Sequence, residues 1–331
     1  MFYEKLEGNL AQCHLCSHNC RIKEGKRGIC GVRENEGGTL YSLVYGRLVS
    51  SAVDPIEKKP LYHFLPGSRA YSVATVGCNF RCLNCQNYDI SQIPKPQKPI
   101  VGRDVAPTQI VEAAKRYRCE SIAYTYSEPT IFFEYAYETA KLASKEGIKN
   151  VFVTNGYIAE EPLRAIAPYL DAANIDLKSF SDDFYRKICG ARLEPVLKAI
   201  RLYKELGIWI EITTLVIPSL NDSEENFKKI AEFIKDLDEG IPWHVSRFFP
   251  AYELIDLPPT PIEDLDKARK IGLETGLKYV YQGNVIGGGE NTHCHSCGKL
   301  LIERHGYRVA QCDIKASRCR SCNSEVDGVW Q

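Results

Sequence analysis

The chain is poor in several things at once. It has one methionine in 331 residues and no net charge, because 42 Lys and Arg balance 42 Asp and Glu. No bulk field therefore draws it to nucleic acid or to an acidic membrane. It lacks any apolar run approaching the length of a membrane span. Its N-terminus, Met1-Phe2-Tyr3-Glu4-Lys5, has no signal-peptide core. The expectation is a cytoplasmic protein with no membrane partner. In that setting 14 cysteines argue against a disulfide framework and for metal binding. The remaining composition, 44% hydrophobic and 25% charged, is that of an ordinary globular chain.

Eleven of those cysteines fall into three sets. The organising set is Cys78, Cys82 and Cys85, spaced C-x3-C-x2-C in one loop. Three such thiolates can hold three irons of a [4Fe-4S] cluster, and with no fourth cysteine before Cys119 the last iron keeps an open position. The preceding Ala70 to Val76 reads as a buried strand. A strand that delivers ligands at its C-terminal end is how a parallel α/β barrel builds an active site. The first set, Cys13, Cys16, Cys20 and Cys30, can bind one metal outright. Its spacing does not decide between zinc and a second iron–sulfur cluster, although a terminal, loop-rich knuckle leans slightly to zinc. The last set, Cys294-x2-Cys297 and Cys319-x2-Cys322, brackets a short β-like stretch from Leu300 to Val309 and reads as a zinc ribbon. Cys312 is expected to be a buried odd thiol, and Cys119 and Cys189 plain core or surface thiols.

Between the cluster loop and the ribbon, helical and extended patterns alternate. Helices are predicted at Thr108–Tyr117, Ile131–Glu146, Pro162–Tyr169, Glu194–Glu205, Ser223–Leu237 and Ile262–Thr275. Strands are predicted at Ser121–Tyr126, Asn150–Thr154, Ala173–Leu177, Trp209–Ile217 and Trp243–Phe249, with a short seventh at Lys278–Tyr281. Six β/α units are too few to close an eight-stranded barrel, so the α/β fold expected is an open, partial (β/α)6 barrel with small cysteine-rich metal modules at both ends. The predicted organisation is a cysteine-rich module over 1–53, a proline-rich connection over 54–69, the barrel over 70–283 and the ribbon over 284–331. The proline-rich Asp54 to Ser68 suits neither a helix nor a central strand and is expected across the barrel mouth. The glycine-rich run Gly283 to Glu290 lacks the context and lysine of a phosphate loop and reads as a hinge. Polar residues end each strand: Tyr126-Ser127-Glu128, Thr154-Asn155, Asp176 and Lys178, then Asn221-Asp222, then His244, Ser246 and Arg247. One or two would be helix caps, but five on one rim point to a binding site.

The motif Cys78 to Asn87 at the end of a first barrel strand resembles the radical S-adenosylmethionine (SAM) superfamily. A cysteine-rich N-terminus followed by DPIEKKPLYHFLPGS and GCN-x2-C-x2-CQN is similar, over nearly the whole chain, to the AmmeMemoRadiSam branch, a relative of pyruvate formate-lyase activating enzyme. Asn84 departs from the aromatic residue often found before the third cysteine. The resemblance implies that the open iron chelates the amino and carboxylate groups of SAM. It further implies that Tyr126, Ser127 and Glu128 receive the SAM ammonium and that Lys178 pairs with its carboxylate. Asp176 and Thr154 match a monovalent-cation site in which Val153 replaces an aspartate, and Ile217 matches an adenine contact. Arg247 or Tyr252 is left to meet the ribose or the substrate, and Asn155 completes the rim.

The function expected is reductive cleavage of SAM to a 5′-deoxyadenosyl radical, which takes a hydrogen atom from a protein, small-molecule or RNA substrate. Reduced flavodoxin or ferredoxin is the expected electron donor. A narrower alternative is a glycyl-radical-enzyme activase. An alternative of another class is a non-enzymatic metal-knuckle adaptor.

Overall fold

The computed structural model describes residues 1–93, 99–285 and 287–330, so Ile286 of the glycine-rich run lies outside the described residues. The core is one eight-stranded sheet. Its strands are β1 (Ser50–Pro55), β2 (Arg69–Ala74), β3 (Ser121–Tyr124), β4 (Lys149–Thr154), β5 (Ala172–Asp176), β6 (Trp209–Val216), β7 (Trp243–Arg247) and β8 (Val280–Gly283). They lie in sequence order, with β2 to β8 all parallel. β1 runs antiparallel along β2, and β1 and β8 remain as two unjoined edges. The sheet is thus an open barrel, as the count of β/α units predicts, but the short seventh parallel strand is real and an antiparallel eighth extends the other edge. The boundary placed between residues 53 and 54 falls inside β1 and is corrected accordingly.

Helices α1 (Pro107–Arg116), α2 (Phe133–Lys145), α3 (Glu160–Ile166), α4 (Leu193–Glu205), α5 (Glu224–Leu237) and α6 (Ile262–Thr275) connect the parallel strands. α5 shows why they form where they do. The Ser223 hydroxyl accepts the Asn226 N–H as an N-cap, Glu224 and Glu225 occupy the positive first turn, and Lys235 the last. Phe227, Ile230, Ala231 and Ile234 then recur on one face and are all buried against the sheet. Each of the large ones contributes about 1.5–3 kcal/mol by leaving water.

The proline-rich segment is not across the mouth. It fills the opposite end of the barrel as a floor. Ile56, Leu61 and Phe64 pack on Ala70, Ala123, Val151 and Ala172, small residues near the start of four strands. Past Asp54 and Pro55, which close β1, the plug has one β-bridge among the described residues, Phe64 with Val329, so its backbone leans on side-chain partners. Asn174 Nδ2 donates to the Pro60 carbonyl at 2.8 Å, and the Glu211 carboxylate accepts the N–H groups of Tyr62 and His63 at 2.9 and 2.7 Å.

The C-terminal module docks on this floor. It pairs β9 (Leu300–His305) with β10 (Arg308–Cys312) antiparallel. Buried Arg304 donates to the carbonyls of Tyr62 and Glu290 at 2.7 and 3.1 Å and lies over the Tyr62 ring. Val329 N–H donates to the His63 carbonyl at 2.7 Å. Cys312 is exposed, not buried, because β10 leaves nearly all of its side chains at the surface. No helix among the described residues is long and apolar enough to cross a membrane.

Candidate radical SAM site

The mouth begins where β2 ends. Gly77 turns the chain with φ 101°, and a Cβ there would lie 2.6 Å from Val32 Cγ1 and 3.1 Å from the Cys30 carbonyl. Only glycine lets the loop approach so closely. Cys78, Cys82 and Cys85 follow, with Cys82 buried and the other two partly so. The loop rests on a five-residue π turn, Tyr185–Cys189, a conformation often found at functional sites. Arg81 and Leu83 N–H donate to the Cys189 and Ile188 carbonyls at 2.8 and 3.0 Å. Cys189 is therefore no isolated core thiol. Its hydrogen bond with the Cys82 thiol, together with burial, pushes Cys82 well above the ordinary thiol range. Cys85 Sγ lies 3.1 Å from the Ser91 hydroxyl.

The rim residues meet around this loop. Asn155 Nδ2 donates to Asn79 Oδ1 at 2.7 Å and lies 3.8 Å from Cys78 Sγ. Asn87 Nδ2 donates to the Tyr126 carbonyl at 2.9 Å. Tyr126 has φ 65°, uncommon for a bulky residue, and is held there by its hydroxyl bond to Asp54. The Glu128 carboxylate is fully used by the protein. It accepts from Thr130 N–H and hydroxyl, the Thr154 hydroxyl and the Asn155 N–H, at 3.0, 2.6, 2.7 and 2.8 Å. Burial nonetheless pushes the Glu128 carboxyl up. Its work is to tie the turn after β3 to the turn after β4.

Lys178 and Asp176 form a 2.8 Å ion pair after β5. Burial opposes the Lys178 charge, but the Asp176 carboxylate beside it holds the ammonium well above its ordinary range. Asn221 clamps the next loop. It donates to the Lys178 and Leu215 carbonyls at 2.6 and 2.9 Å and accepts the Ile217 N–H at 2.6 Å. Ile217 is buried. Arg247 Nε donates to the Thr260 carbonyl at 2.8 Å, and its guanidinium lies 5.1 Å from the Phe249 ring centre. Tyr252 stacks on Tyr88, just past the cluster loop, at 4.9 Å. His244 is not at the rim at all. It lies in the floor, 2.6 Å from Glu211. Residue type alone missed Asn79, Asn87 and Tyr185, whose hydroxyl accepts the Lys178 N–H at 3.0 Å. The GCN and CQN ends of the cysteine motif were the available signal for the two asparagines.

Three polar atoms around the cluster loop are buried without a partner among the described residues: Asn79 Nδ2, Asn84 Oδ1 and Ser127 Oγ. Orphans of this kind cost about 1–3 kcal/mol each. With three thiols beside them, they fit a site completed by a bound group.

The other cysteine sets differ in geometry. Cys294, Cys297, Cys319 and Cys322 have all four sulfurs within 4.8 Å of one another, with Cys294–Cys322 at 3.6 Å and Cys297–Cys319 at 3.9 Å. A tetrahedral ion with metal–sulfur bonds of about 2.3 Å needs sulfurs about 3.8 Å apart. Among the described residues no other group of three or more potential ligands is so tight. Cys13, Cys16, Cys20 and Cys30 instead surround a cavity of about 20 Å³.

An open parallel α/β barrel with a three-cysteine loop at its mouth defines a class of iron–sulfur enzyme fold. Residues 72–234 match the family model described as the radical SAM superfamily. An uncharacterized protein of Methanocaldococcus jannaschii is 50% identical over 331 residues, covering 99% of this chain and 98% of that one. The pyruvate formate-lyase-activating enzyme of Clostridium pasteurianum is 25% identical over 225 residues, covering 64% of this chain and 91% of that one. A solved radical SAM methyltransferase from Sphaerobacter thermophilus superposes with a TM-score of 0.52 at 16% identity, over 72% of this chain and 71% of that one, and shares the fold. The chain belongs to the radical SAM superfamily, whose members are enzymes. The family implies a [4Fe-4S] cluster and SAM, and the adaptor reading is left without support.

Proposed function

We propose that this protein reductively cleaves SAM at a [4Fe-4S] cluster held by Cys78, Cys82 and Cys85 and uses the product radical on a separate substrate. The observation that carries the reading is the loop Gly77–Asn87, which presents three thiols and three orphaned polar neighbours at the C-terminal mouth of a parallel barrel. When bound, the cluster supplies one electron to the sulfonium of SAM, whose S–C5′ bond breaks to release the 5′-deoxyadenosyl radical. The rest is done by the chain. Three thiolates leave one iron position open for the amino and carboxylate groups of SAM. With the Glu128 carboxylate occupied, the backbone carbonyls of Tyr126, Ser127 and Glu128 are the acceptors for the ammonium. Lys178 leaves Asp176 to share its charge with the SAM carboxylate. Ile217 would meet the adenine, and Arg247 or Tyr252 the ribose or the substrate. Asp176 and Thr154 serve the same rim through Lys178 and Glu128, and Asn155 fixes Cys78. Zinc in the C-terminal quartet is supported by its sulfur spacing. A flavodoxin or ferredoxin serves as electron donor.

The test is anaerobic reconstitution and EPR of the reduced chain. Addition of SAM should change the cluster signal, and 5′-deoxyadenosine should form. A Cys78→Ala, Cys82→Ala, Cys85→Ala variant should lose both. Survival of the SAM-responsive signal in that variant would refute the assignment.

A further inference from the structure

The first cysteine set is not absorbed by this reading. Its four thiols line a cavity of about 20 Å³ together with Arg33 and Ile131. The thiols therefore surround an unfilled space and do not close on one point. The C-terminal quartet serves as an internal standard. There the four sulfurs sit within 4.8 Å of one another, the spacing of a mononuclear tetrahedral site. No three of Cys13, Cys16, Cys20 and Cys30 meet that limit, and neither do Cys78, Cys82 and Cys85. The N-terminal set therefore shares the open spacing of the cluster loop. It also abuts that loop. His18 Nε2–H donates to the Asn79 carbonyl at 2.8 Å, the His18 ring packs on Tyr157, and the Gly77 backbone lies against Cys30–Val32.

We infer that Cys13, Cys16, Cys20 and Cys30 hold a second, fully ligated iron–sulfur cluster, seated directly behind the radical SAM loop. Four thiolates are the complete ligand set of such a cluster, so it has no open iron and does not bind SAM. The sequence leans slightly to zinc here; the wider sulfur spacing and the contact with the radical SAM loop favour the cluster. Buried Arg33 gives the anionic centre a cation, and its own partner Glu134 holds it in place.

The experiment is metal and acid-labile sulfide analysis of the full chain, reconstituted anaerobically with iron and sulfide. The radical SAM ligands are first removed as the Cys78→Ala, Cys82→Ala, Cys85→Ala variant, which leaves the N-terminal module intact. That variant should retain two to four irons per chain with matching sulfide and one zinc. Adding Cys13→Ala and Cys16→Ala should bring iron to zero with zinc still at one. Two zincs per chain in the triple variant, or no iron in it, would overturn the inference. The proposed function fails separately. A parent chain whose signal ignores SAM, beside a triple variant that keeps its iron, would sink the SAM reading and leave this cluster standing.

Discussion

The two ends of the barrel are built on opposite principles. At the mouth, Asn79, Asn84 and Ser127 carry buried polar atoms with no partner among the described residues. At the floor, Glu211 is wholly buried and accepts four bonds, from Tyr62 N–H, His63 N–H, Trp209 Nε1 and His244 Nε2. Four buried atoms are left over there: Arg304 Nε and Glu57 Oε2, whose residues face each other as an ion pair, and the hydroxyls of Ser68 and Ser121. A buried polar group must be answered by something. The floor answers its central carboxylate, Glu211, in full and leaves over mainly hydroxyls and the far atoms of an ion pair. The mouth leaves unpartnered amide groups and a hydroxyl beside three thiols, which is the pattern of the proposed site. Polar character alone does not separate the two, since both ends hold charged residues inside the barrel.

The sharpest way to break this contrast is to remove the ribbon's metal. A Cys319→Ala, Cys322→Ala variant should lose one zinc per chain. Binding of this kind is worth about 10 kcal/mol or more to a small module, so the ribbon should unfold and strip Arg304 and Val329 from the floor. The melting temperature should fall, while the cluster at the mouth still assembles. Unchanged zinc content, or an unchanged melting temperature, would show that the ribbon is not part of the floor.

Glu211→Ala tests the floor from inside. It strands four donors and uncouples His244, which should cost about 3–5 kcal/mol. Denaturant titration reads that loss. SAM affinity of the folded fraction should stay within about twofold of the parent, and a tenfold loss would mean that the two ends are coupled. Lys178→Ala is the mirror experiment. It should weaken SAM binding by about 2–5 kcal/mol, measured by equilibrium titration of the reconstituted protein, and leave cluster assembly alone. Unchanged affinity would remove Lys178 from the site.

The mouth was largely legible in the sequence, and the floor was not. Cysteine spacing fixes a loop, and period and caps fix helices; α6 lies where its apolar pattern places it. Asp176, Lys178 and Thr154 follow directly from strand ends. The floor depends on contacts between distant segments, which no local pattern reveals. Asp54 to Ser68 shows only that it is neither helix nor central strand. Its place beneath the barrel follows from Glu211 and Asn174, about 150 and 115 residues away in sequence. His244 illustrates the same limit. On a strand of five residues the sequence could not say which end of the barrel its side chain would meet. The register puts it beside Tyr281 and Thr213, below the site.

The smallest effect expected is a pH dependence carried by His63 in the floor. His63 is wholly buried, and burial lowers it to about 4. Its Nδ1–H donates to the Asp327 carbonyl at 2.6 Å, and its Nε2 accepts from the Tyr281 hydroxyl at 2.5 Å, so both ring nitrogens are satisfied in the neutral form. In the unfolded chain the same ring titrates near 6.5. Below about 6.5 the unfolded state binds a proton that the folded state refuses, so stability falls as pH drops toward 4 and is fully present above 6.5. The limit is about 1.4 kcal/mol per pH unit. Glu211, held below the ordinary carboxylate range by His244 and His63 against the pull of burial, adds its own loss only at still lower pH. Melting temperature between pH 7 and pH 5 should therefore decline in the parent and decline less in His63→Gln, which has no proton to take up there. Amide exchange at Tyr62 and His63 should accelerate over the same range before exchange at Asn155 does. An equal slope in the variant would assign the titration to another group, and simultaneous opening of both ends would dissolve the distinction between floor and mouth.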